Sequence, residues 1–245
     1  MHGLSAGGQT TAQLEARSPP VPEAIRPRSQ SAEAYAAIRG EVLSGQIPPG
    51  VKIAIGEMSA RLTLSAGSVR EALSRLTAEG LVIAEPQRGF RASPISPEDL
   101  KDLTRTRARI ESLCLCEAIA NGDPAWEGRV LAAHHKLVRT PMLSMPSKVE
   151  IDEDWSAAHG DFHAALAEGC RSPWLIRVRQ MLYEQSERYR RLSVPLDDSR
   201  RDVASEHRMI CEAALAGDRQ TAVRLLQEHI EATANIVLSG LAGVT

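Results

Sequence analysis

Residues 66–92 constrain the fold more than any other stretch, because a helical pattern passes there directly into a β pattern. Four apolar residues recur at i, i+3, i+4 and i+7, a spacing that places them on one face of a helix: Val69, Ala72, Leu73 and Leu76. Gly80 is suited to end this helix. The apolar residues 81–83 predict a strand, Pro-Gln-Arg-Gly at 86–89 a tight turn, and Phe-Arg-Ala at 90–92 the return strand of a β-hairpin.

Two shorter helical patterns precede this helix. The first begins with Ser31 as its N-cap and ends near Gly45, and the second covers residues 57–62. A short helix, a turn, a longer helix and a hairpin form the layout of a winged helix-turn-helix. We therefore predict such a domain over residues 31–93. The tail before it, residues 1–30, is rich in Gly, Ser, Pro, Gln and Ala, which indicates disorder.

The exposed side of the longer helix can be interpreted in two ways. Ser65, Ser68 and Arg70 lie on or near the side opposite the apolar stripe, Arg75 adds a cation, and Arg88 stands at the tip of the hairpin. In a winged helix, such residues contact the base edges and phosphates of DNA. On a small helical bundle, they are ordinary solvated side chains. The pattern alone leaves both interpretations open.

Composition excludes several classes of protein. The net charge of -2 excludes a protein that coats nucleic acid indiscriminately, so DNA binding must rest on a local basic surface. Aromatic residues make up only 3%, which argues against base-stacking platforms for single strands. Long apolar runs and a secretory signal pattern are both missing, and the four cysteines form no CxxC pair. We therefore predict a cytoplasmic protein without a membrane partner.

A Pro-Ile-Ser-Pro linker at 94–97 separates this region from one that is helical almost throughout. Six helical patterns follow, over residues 98–120, 124–138, 149–168, 172–191, 202–216 and 219–239. The predicted fold class is therefore mostly α. An N-terminal winged helix-turn-helix is followed by a C-terminal all-α bundle over residues 98–241.

Four histidines in the second region have the spacing of a shared metal site. His159 and His163 are four residues apart, so their rings lie on the same face of one helix. His207 and His229 each lie eleven residues from the tight turn at Asp218, so an antiparallel helical hairpin brings them together. Such a site suits zinc or nickel. The alternative is that these are core histidines satisfied by hydrogen bonds.

Three motifs of the first region resemble the GntR family of bacterial regulators: SVREALSRLTAEGLV at 68–82, PPG at 48–50 and RGF at 88–90. The resemblance implies a palindromic double-stranded operator, contacted by the start of the third helix and the wing glycine. The matching positions are Ser65, Ser68, Arg70 and Gly89, with Arg88 beside the last. In SAGSVREAL, Ala66 replaces a usual basic residue, and IGEMSA replaces a SERELA-like string. Because two DNA-contacting arginines are thus missing, the operator sequence cannot be transferred from the family.

The second region resembles the ligand-binding (FCD) domain of the FadR-type branch of this family, through TRARIE, DFHAAL, SERYRRL, SEHRMICEAALAGD and AVRLLQEHI. Many members bind a divalent metal through one aspartate and three histidines, which match His163, His207 and His229. His159 stands where the aspartate is usual, and this neutral ligand favours zinc, or nickel, over a hard cation. Within the family, the chain resembles the carbon-starvation, glutarate-responsive regulators through the strings SAGSVREAL and WEGRVLAAHH and through this histidine.

Arg107 lies on the apolar line formed by Leu103, Ile110 and Cys114, and a cation pointed at a core needs an anion. Glu111, one helical turn further on, is one candidate partner. The other is a carboxylate effector, because Arg107 matches a family arginine and the resemblance implies small organic acids as ligands. Elsewhere, Arg188, Arg190 and Arg191 are expected to form a solvated face. Trp126, Trp155 and Trp174 are expected to be packing residues.

Together these observations predict a homodimeric DNA-binding transcription regulator, acting as a repressor that a small carboxylate controls through a metal site. A constitutive DNA-binding dimer with a structural metal is one alternative. A metal-dependent hydrolase is a second, but the residue after His159 is Gly160, so the glutamate of an HExxH motif is missing. We therefore predict that the protein is not an enzyme.

Overall fold

The computed structural model describes residues 29–145, 150–196 and 201–242, which form nine α-helices and one three-stranded sheet. The predicted tail at 1–30 lies outside these residues apart from Ser29 and Gln30. The N-terminal elements are α1 Gln30–Ser44, β1 Lys52–Ile53, α2 Ile55–Leu62, α3 Ala66–Ala78, β2 Val82–Glu85 and β3 Gly89–Ala92. The C-terminal elements are α4 Pro97–Asn121, α5 Pro124–Arg139, α6 Glu153–Ala167, α7 Pro173–Ser193, α8 Val203–Leu215 and α9 Arg219–Ala242. Within the described ranges, no helix is both long and apolar enough to cross a bilayer.

The N-terminal elements form the predicted winged helix-turn-helix. Helix α3 ends in a Schellman motif, in which the Leu81 amide donates to the Leu76 carbonyl oxygen and Gly80 adopts a positive φ of 74°. Strands β2 and β3 form the wing, and β1 pairs with β3 at the other edge. The sequence analysis missed β1, because a strand of two residues shows no periodicity.

The apolar stripe of α3 forms the centre of the N-terminal core. Val69, Leu73 and Leu76 are fully buried, together with Ile38 of α1. The prediction of Ser31 as the α1 N-cap was wrong by two residues. Ser29 is the cap, because its Oγ accepts a hydrogen bond from the Ala32 amide at 3.2 Å.

In the C-terminal bundle, three helices begin with the same local signal. A Ser or Asp N-cap is followed by proline in the first turn, where the missing amide costs no hydrogen bond: Ser96 before α4, Asp123 before α5 and Ser172 before α7. Helix α6 begins at Glu153 rather than at 149 as predicted, because Asp152 caps it. The residue before Asp152, Ile151, forms an isolated bridge with Leu143.

Two expectations about surface residues were wrong. The arginine run on α7 is not a solvated face: Arg188 and Arg190 are buried, and Arg191 is half-buried against Glu153. Carboxylates and carbonyl oxygens offset their charges, and the helical periodicity of the sequence does not reveal these partners. Trp174 is 71% exposed near the start of α7, beneath the guanidinium of Arg177. Trp126 and Trp155 are buried, as expected for packing residues.

Helix α7 also connects the two parts of the molecule. The Glu184 carboxylate forms an ion pair with Arg39 of α1 at 3.0 Å. The Gln185 amide donates a hydrogen bond to the carbonyl oxygen of Glu79, just after α3. Arg188 donates to the carbonyl oxygen of Ser93, just after the wing, at 3.3 Å. One helix of the C-terminal bundle therefore contacts the N-terminal winged helix-turn-helix at three points.

Candidate metal centre and DNA-binding surface

The structure brings four buried histidines together in the C-terminal bundle. His159 and His163 lie on α6, His207 on α8 and His229 on α9. Each offers one ring nitrogen, and these four atoms lie within 4.8 Å of one another. Ring centroids are 4.5 Å apart for the α6 pair and 4.6 Å apart for the pair across the α8–α9 hairpin. All four donors can therefore approach a single ion.

The ring nitrogens of this cluster fit a metal ion. Both nitrogens of His163 and Nε2 of His207 are buried without a hydrogen-bond partner among the described residues. Buried polar atoms are almost always paired, so unpaired nitrogens that converge indicate a missing partner. Burial lowers the pKa of His159, His163 and His207 well below the usual value, and neighbouring histidines and arginines lower these pKa values further. The rings are therefore neutral, the form that binds metal.

The other two histidines are oriented by partners outside the cluster. Nδ1 of His159 lies 2.9 Å from the hydroxyl of Tyr183, and Nδ1 of His229 lies 2.7 Å from the Glu206 carboxylate. These contacts leave Nε2 of both rings available to a metal. Burial alone would raise the pKa of Glu206, but hydrogen bonds from His229 and Arg201 lower it to about 2. Glu206 is thus a charged carboxylate that accepts a hydrogen bond from Nδ1–H of His229.

Asp161, the nearest acidic residue along α6, does not join this cluster. Its carboxylate is exposed and pairs with Lys136 of α5 at 2.8 Å. A donor set of four neutral imidazoles suits a borderline first-row ion such as zinc or nickel better than magnesium or calcium. When bound, such an ion would supply two positive charges that attract the oxygen atoms of a carboxylate.

A cleft beside the histidines contains Arg107. It is lined by His159 and His229, by Thr104 and Arg107 of α4, and by Ser186 and Arg190 of α7. Arg107 is buried and donates to Glu111 at 2.7 Å and to the Ser186 hydroxyl at 2.7 Å. Glu111, the internal partner considered for Arg107, therefore pairs with it, while Arg107 also lines the cleft. The two interpretations of this arginine are compatible.

Arg190 is a site residue that the sequence analysis missed. Its Nε donates to Glu187 at 2.9 Å and its Nη2 donates to the Ser156 hydroxyl at 2.8 Å, whereas its Nη1 has no partner among the described residues. The signal was present in the sequence. Tyr183, Ser186, Glu187 and Arg190 recur at three- and four-residue spacings, which place them on one face of α7.

The predicted DNA-reading residues lie on the winged helix-turn-helix. Ser65 is the N-cap of α3, and its Oγ accepts a hydrogen bond from the Ser68 amide at 3.1 Å. Arg70 is exposed on α3, and Arg88 and Gly89 are exposed at the wing. Arg75 has partners within the chain: its guanidinium lies 3.8 Å from the ring centroid of Tyr35 and 3.6 Å from Glu79.

Comparison with known proteins agrees with this arrangement. Residues 30–91 match "Bacterial regulatory proteins, gntR family", and residues 102–232 match the FCD domain. A protein named "Uncharacterized HTH-type transcriptional regulator BphR", from Paraburkholderia xenovorans (strain LB400), is 36% identical over 96% of this chain and 95% of its own length. The HTH-type transcriptional repressor GlaR of Escherichia coli (strain K12) is 32% identical over 87% of this chain and 98% of its own length.

A solved structure shows the same fold. E. coli McbR/YncC has a TM-score of 0.70 at 18% identity, over 87% of this chain and 99% of that one. The resemblances inferred from the VREAL…EGLV motif and from the helical region are thereby confirmed. The chain belongs to the GntR family of bacterial regulatory proteins, in the FadR-type branch that carries an FCD domain, and is a DNA-binding transcription regulator and not an enzyme.

Proposed function

We propose that this regulator is a repressor whose affinity for its operator is controlled by a small carboxylate bound beside a divalent metal, zinc or nickel. The observation that carries the proposal is the cluster of His159, His163, His207 and His229, with converging and partly unpaired ring nitrogens. Repressors among the relatives support the sign of regulation. In a DNA-binding protein, such a site can bind a small regulatory ligand with the help of the metal.

The charges around the cluster favour an anionic ligand. Arg107 and Arg190 both line the cleft beside His159 and His229, and Nη1 of Arg190 lacks a partner in the described part of the chain. A carboxylate has two oxygens, so it can approach a metal and a guanidinium at once. We therefore assign Arg107 and Arg190 to the effector and the four histidines to the metal.

Helix α7 provides the coupling between the effector and the DNA. Ser186 and Arg190 face the cleft, while Glu184 and Gln185 hold α1 and the end of α3. Because these four residues lie within two turns of one helix, a ligand that moves one side of α7 also moves the contacts on the other side. The ligand shifts operator affinity only to the extent that it binds the two arrangements differently.

A homodimer completes the proposal. Two winged helix-turn-helix domains related by a two-fold axis match a palindromic operator with half-sites about one helical turn apart. We expect the DNA to be contacted by five residues of the winged helix-turn-helix: Ser65, Ser68, Arg70, Arg88 and Gly89. The domains run over 31–93 and 98–241 with a linker at 94–97, and the family matches at 30–91 and 102–232 support this division. We place the protein in the cytoplasm with its operator.

The test combines metal content, stability and DNA binding. We expect wild-type protein purified without chelators to hold about one zinc or nickel ion per chain, with a melting temperature that EDTA lowers. His207→Ala removes one ligand and should abolish both effects. His135→Ala, an exposed histidine on α5, is the matched control and should abolish neither. Operator affinity is then measured with and without a panel of small carboxylates.

Two outcomes would overturn parts of the proposal. Metal-free wild-type protein that zinc and nickel do not stabilise would remove the metal site. Operator affinity that does not change with any metal or acid, in a protein that does hold metal, would favour the constitutive dimer with a structural metal.

A further inference from the structure

An apolar cavity lies next to the histidine cluster, and His207 but not Arg107 lines it. It has a volume of about 180 Å³, is partly open to solvent, and lies between the end of α5, the segment after it, α6 and the start of α8. Its walls include Leu137, Val138, Met142, Trp155, Val203 and His207. Arginine, lysine, aspartate and glutamate are not among the described residues that line it. The cavity is therefore suited to a hydrocarbon group.

The cavity borders the candidate metal centre, and the two spaces share wall residues. His207 lines it directly, and the Trp155 ring stacks on His159 with 4.9 Å between centroids. Met142, Trp155 and Val203 also line a small polar cleft that reaches His159, His229 and Arg190. A ligand held at the histidines and Arg190 therefore lies beside Met142, Trp155 and Val203, which also border the apolar cavity.

The volumes of these spaces define the shape of the ligand. The two polar clefts beside the histidines measure about 20 and 30 Å³, room for a group the size of a carboxylate. The apolar cavity is several times larger, and a cavity of about 150 Å³ is known to accept benzene. A second carboxylate placed there would lose its water without gaining a cation.

We propose that the effector is a monocarboxylate that carries an aromatic ring or an equally bulky hydrocarbon group. The acid end lies against the metal centre and Arg190, and the apolar end fills the cavity between Leu137, Trp155 and Val203. This inference rests on the proposed carboxylate control and narrows its ligand class. Acetate would leave the cavity empty, and glutarate would place its second charge where only apolar groups are accommodated.

The experiment compares acids on the zinc-loaded, full-length protein by isothermal titration: acetate, glutarate, phenylacetate and 3-phenylpropionate. We expect the phenyl acids to bind at least about tenfold more tightly than acetate, because their rings leave water. Ala204→Phe fills the cavity from α8, and Thr140→Phe fills it from the end of α5. Each should remove the advantage of the phenyl acids and leave acetate binding unchanged.

Ala216→Phe is the matched control, because Ala216 is exposed at the other end of α8 and lies outside the cavity wall. It should leave every affinity unchanged. Phenyl acids that bind no better than acetate or glutarate would overturn the inference while the carboxylate proposal stands. Phenyl-acid binding that survives both cavity-filling variants would overturn the assigned location. If none of the four acids binds to the zinc-loaded protein, the underlying proposal of carboxylate control fails instead.

Discussion

Glu206 offers a test of the proposed metal centre. It contacts His229, one of the proposed metal ligands, but is not itself in the histidine cluster. Its carboxylate accepts a hydrogen bond from Nδ1–H of His229 at 2.7 Å and forms an ion pair with Arg201. This contact holds the ring with Nε2 toward the cluster and makes that nitrogen a better donor. Glu206→Gln keeps the shape of the side chain but removes the charge.

We expect Glu206→Gln to weaken zinc binding by about 10- to 100-fold, the range seen when such outer partners are lost. This corresponds to roughly 1.4–2.7 kcal/mol. The measurement is a competition titration of zinc against a chromophoric chelator at pH 7. Because hydrogen bonds from His229 and Arg201 lower the pKa of Glu206 to about 2, the wild-type carboxylate is charged at pH 7.

Glu212→Gln is the matched control for this experiment. Glu212 lies on the same helix, is exposed and approaches Arg208 at 4.0 Å. Its substitution should leave zinc affinity within about twofold of wild type. If Glu206→Gln binds zinc as tightly as Glu212→Gln, His229 is not oriented by Glu206 toward a metal, and the reasoning about the site is refuted.

Four further predictions concern other parts of the molecule. Arg70→Ala should weaken operator binding and lower the slope of log affinity against log salt by up to about one, measured by fluorescence anisotropy at several salt concentrations. Leu73→Ala, at a fully buried position, should destabilise the chain by about 2–5 kcal/mol in urea unfolding. Glu184→Gln breaks the ion pair with Arg39 and should reduce the effector-induced change in operator affinity about two- to fivefold, with effector affinity unchanged in titration calorimetry. Burial alone would raise the pKa of Glu187, but Arg190 lowers it, so the stabilisation from this carboxylate is present above about pH 4.5 and is lost as pH falls through the folded-state value. Glu187→Gln should therefore cost stability at pH 7 and progressively less below pH 4.5 in urea titrations across that range; a constant difference would contradict the assignment.

The parts of the fold with a clear period were predictable from the sequence. The stripe at Val69, Leu73 and Leu76 predicts α3 because burial of one helix face leaves a repeat of 3.6 residues. Ser-Pro and Asp-Pro pairs likewise mark the helix starts, because capping is a local interaction. Strand β1 was not predictable, since its two residues are defined only by pairing with Arg91 and Phe90 of β3.

The candidate site divides in the same way. The four histidines could be found from spacing, since the i, i+4 pair and the symmetric positions about Asp218 are local geometry. The spacing along α7 places Arg190 on one face with Glu187, but its burial also depends on packing against Ser156 of α6, which no single-helix pattern reports. The apolar cavity was also beyond prediction, since its walls come from three helices and the segment that follows α5.

The balance of charge around the candidate metal centre favours an anionic ligand there. Four arginines surround the histidines within the described residues, Arg107, Arg179, Arg190 and Arg201, and three carboxylates pair with them, Glu111, Glu187 and Glu206. These side chains leave one excess positive charge, and a divalent ion would raise the excess to three, because the histidines are neutral. An aspartate in place of His159 would cancel one of these charges. A neutral histidine at this position therefore strengthens the demand for an anionic ligand, and a bound carboxylate is a group that can meet it.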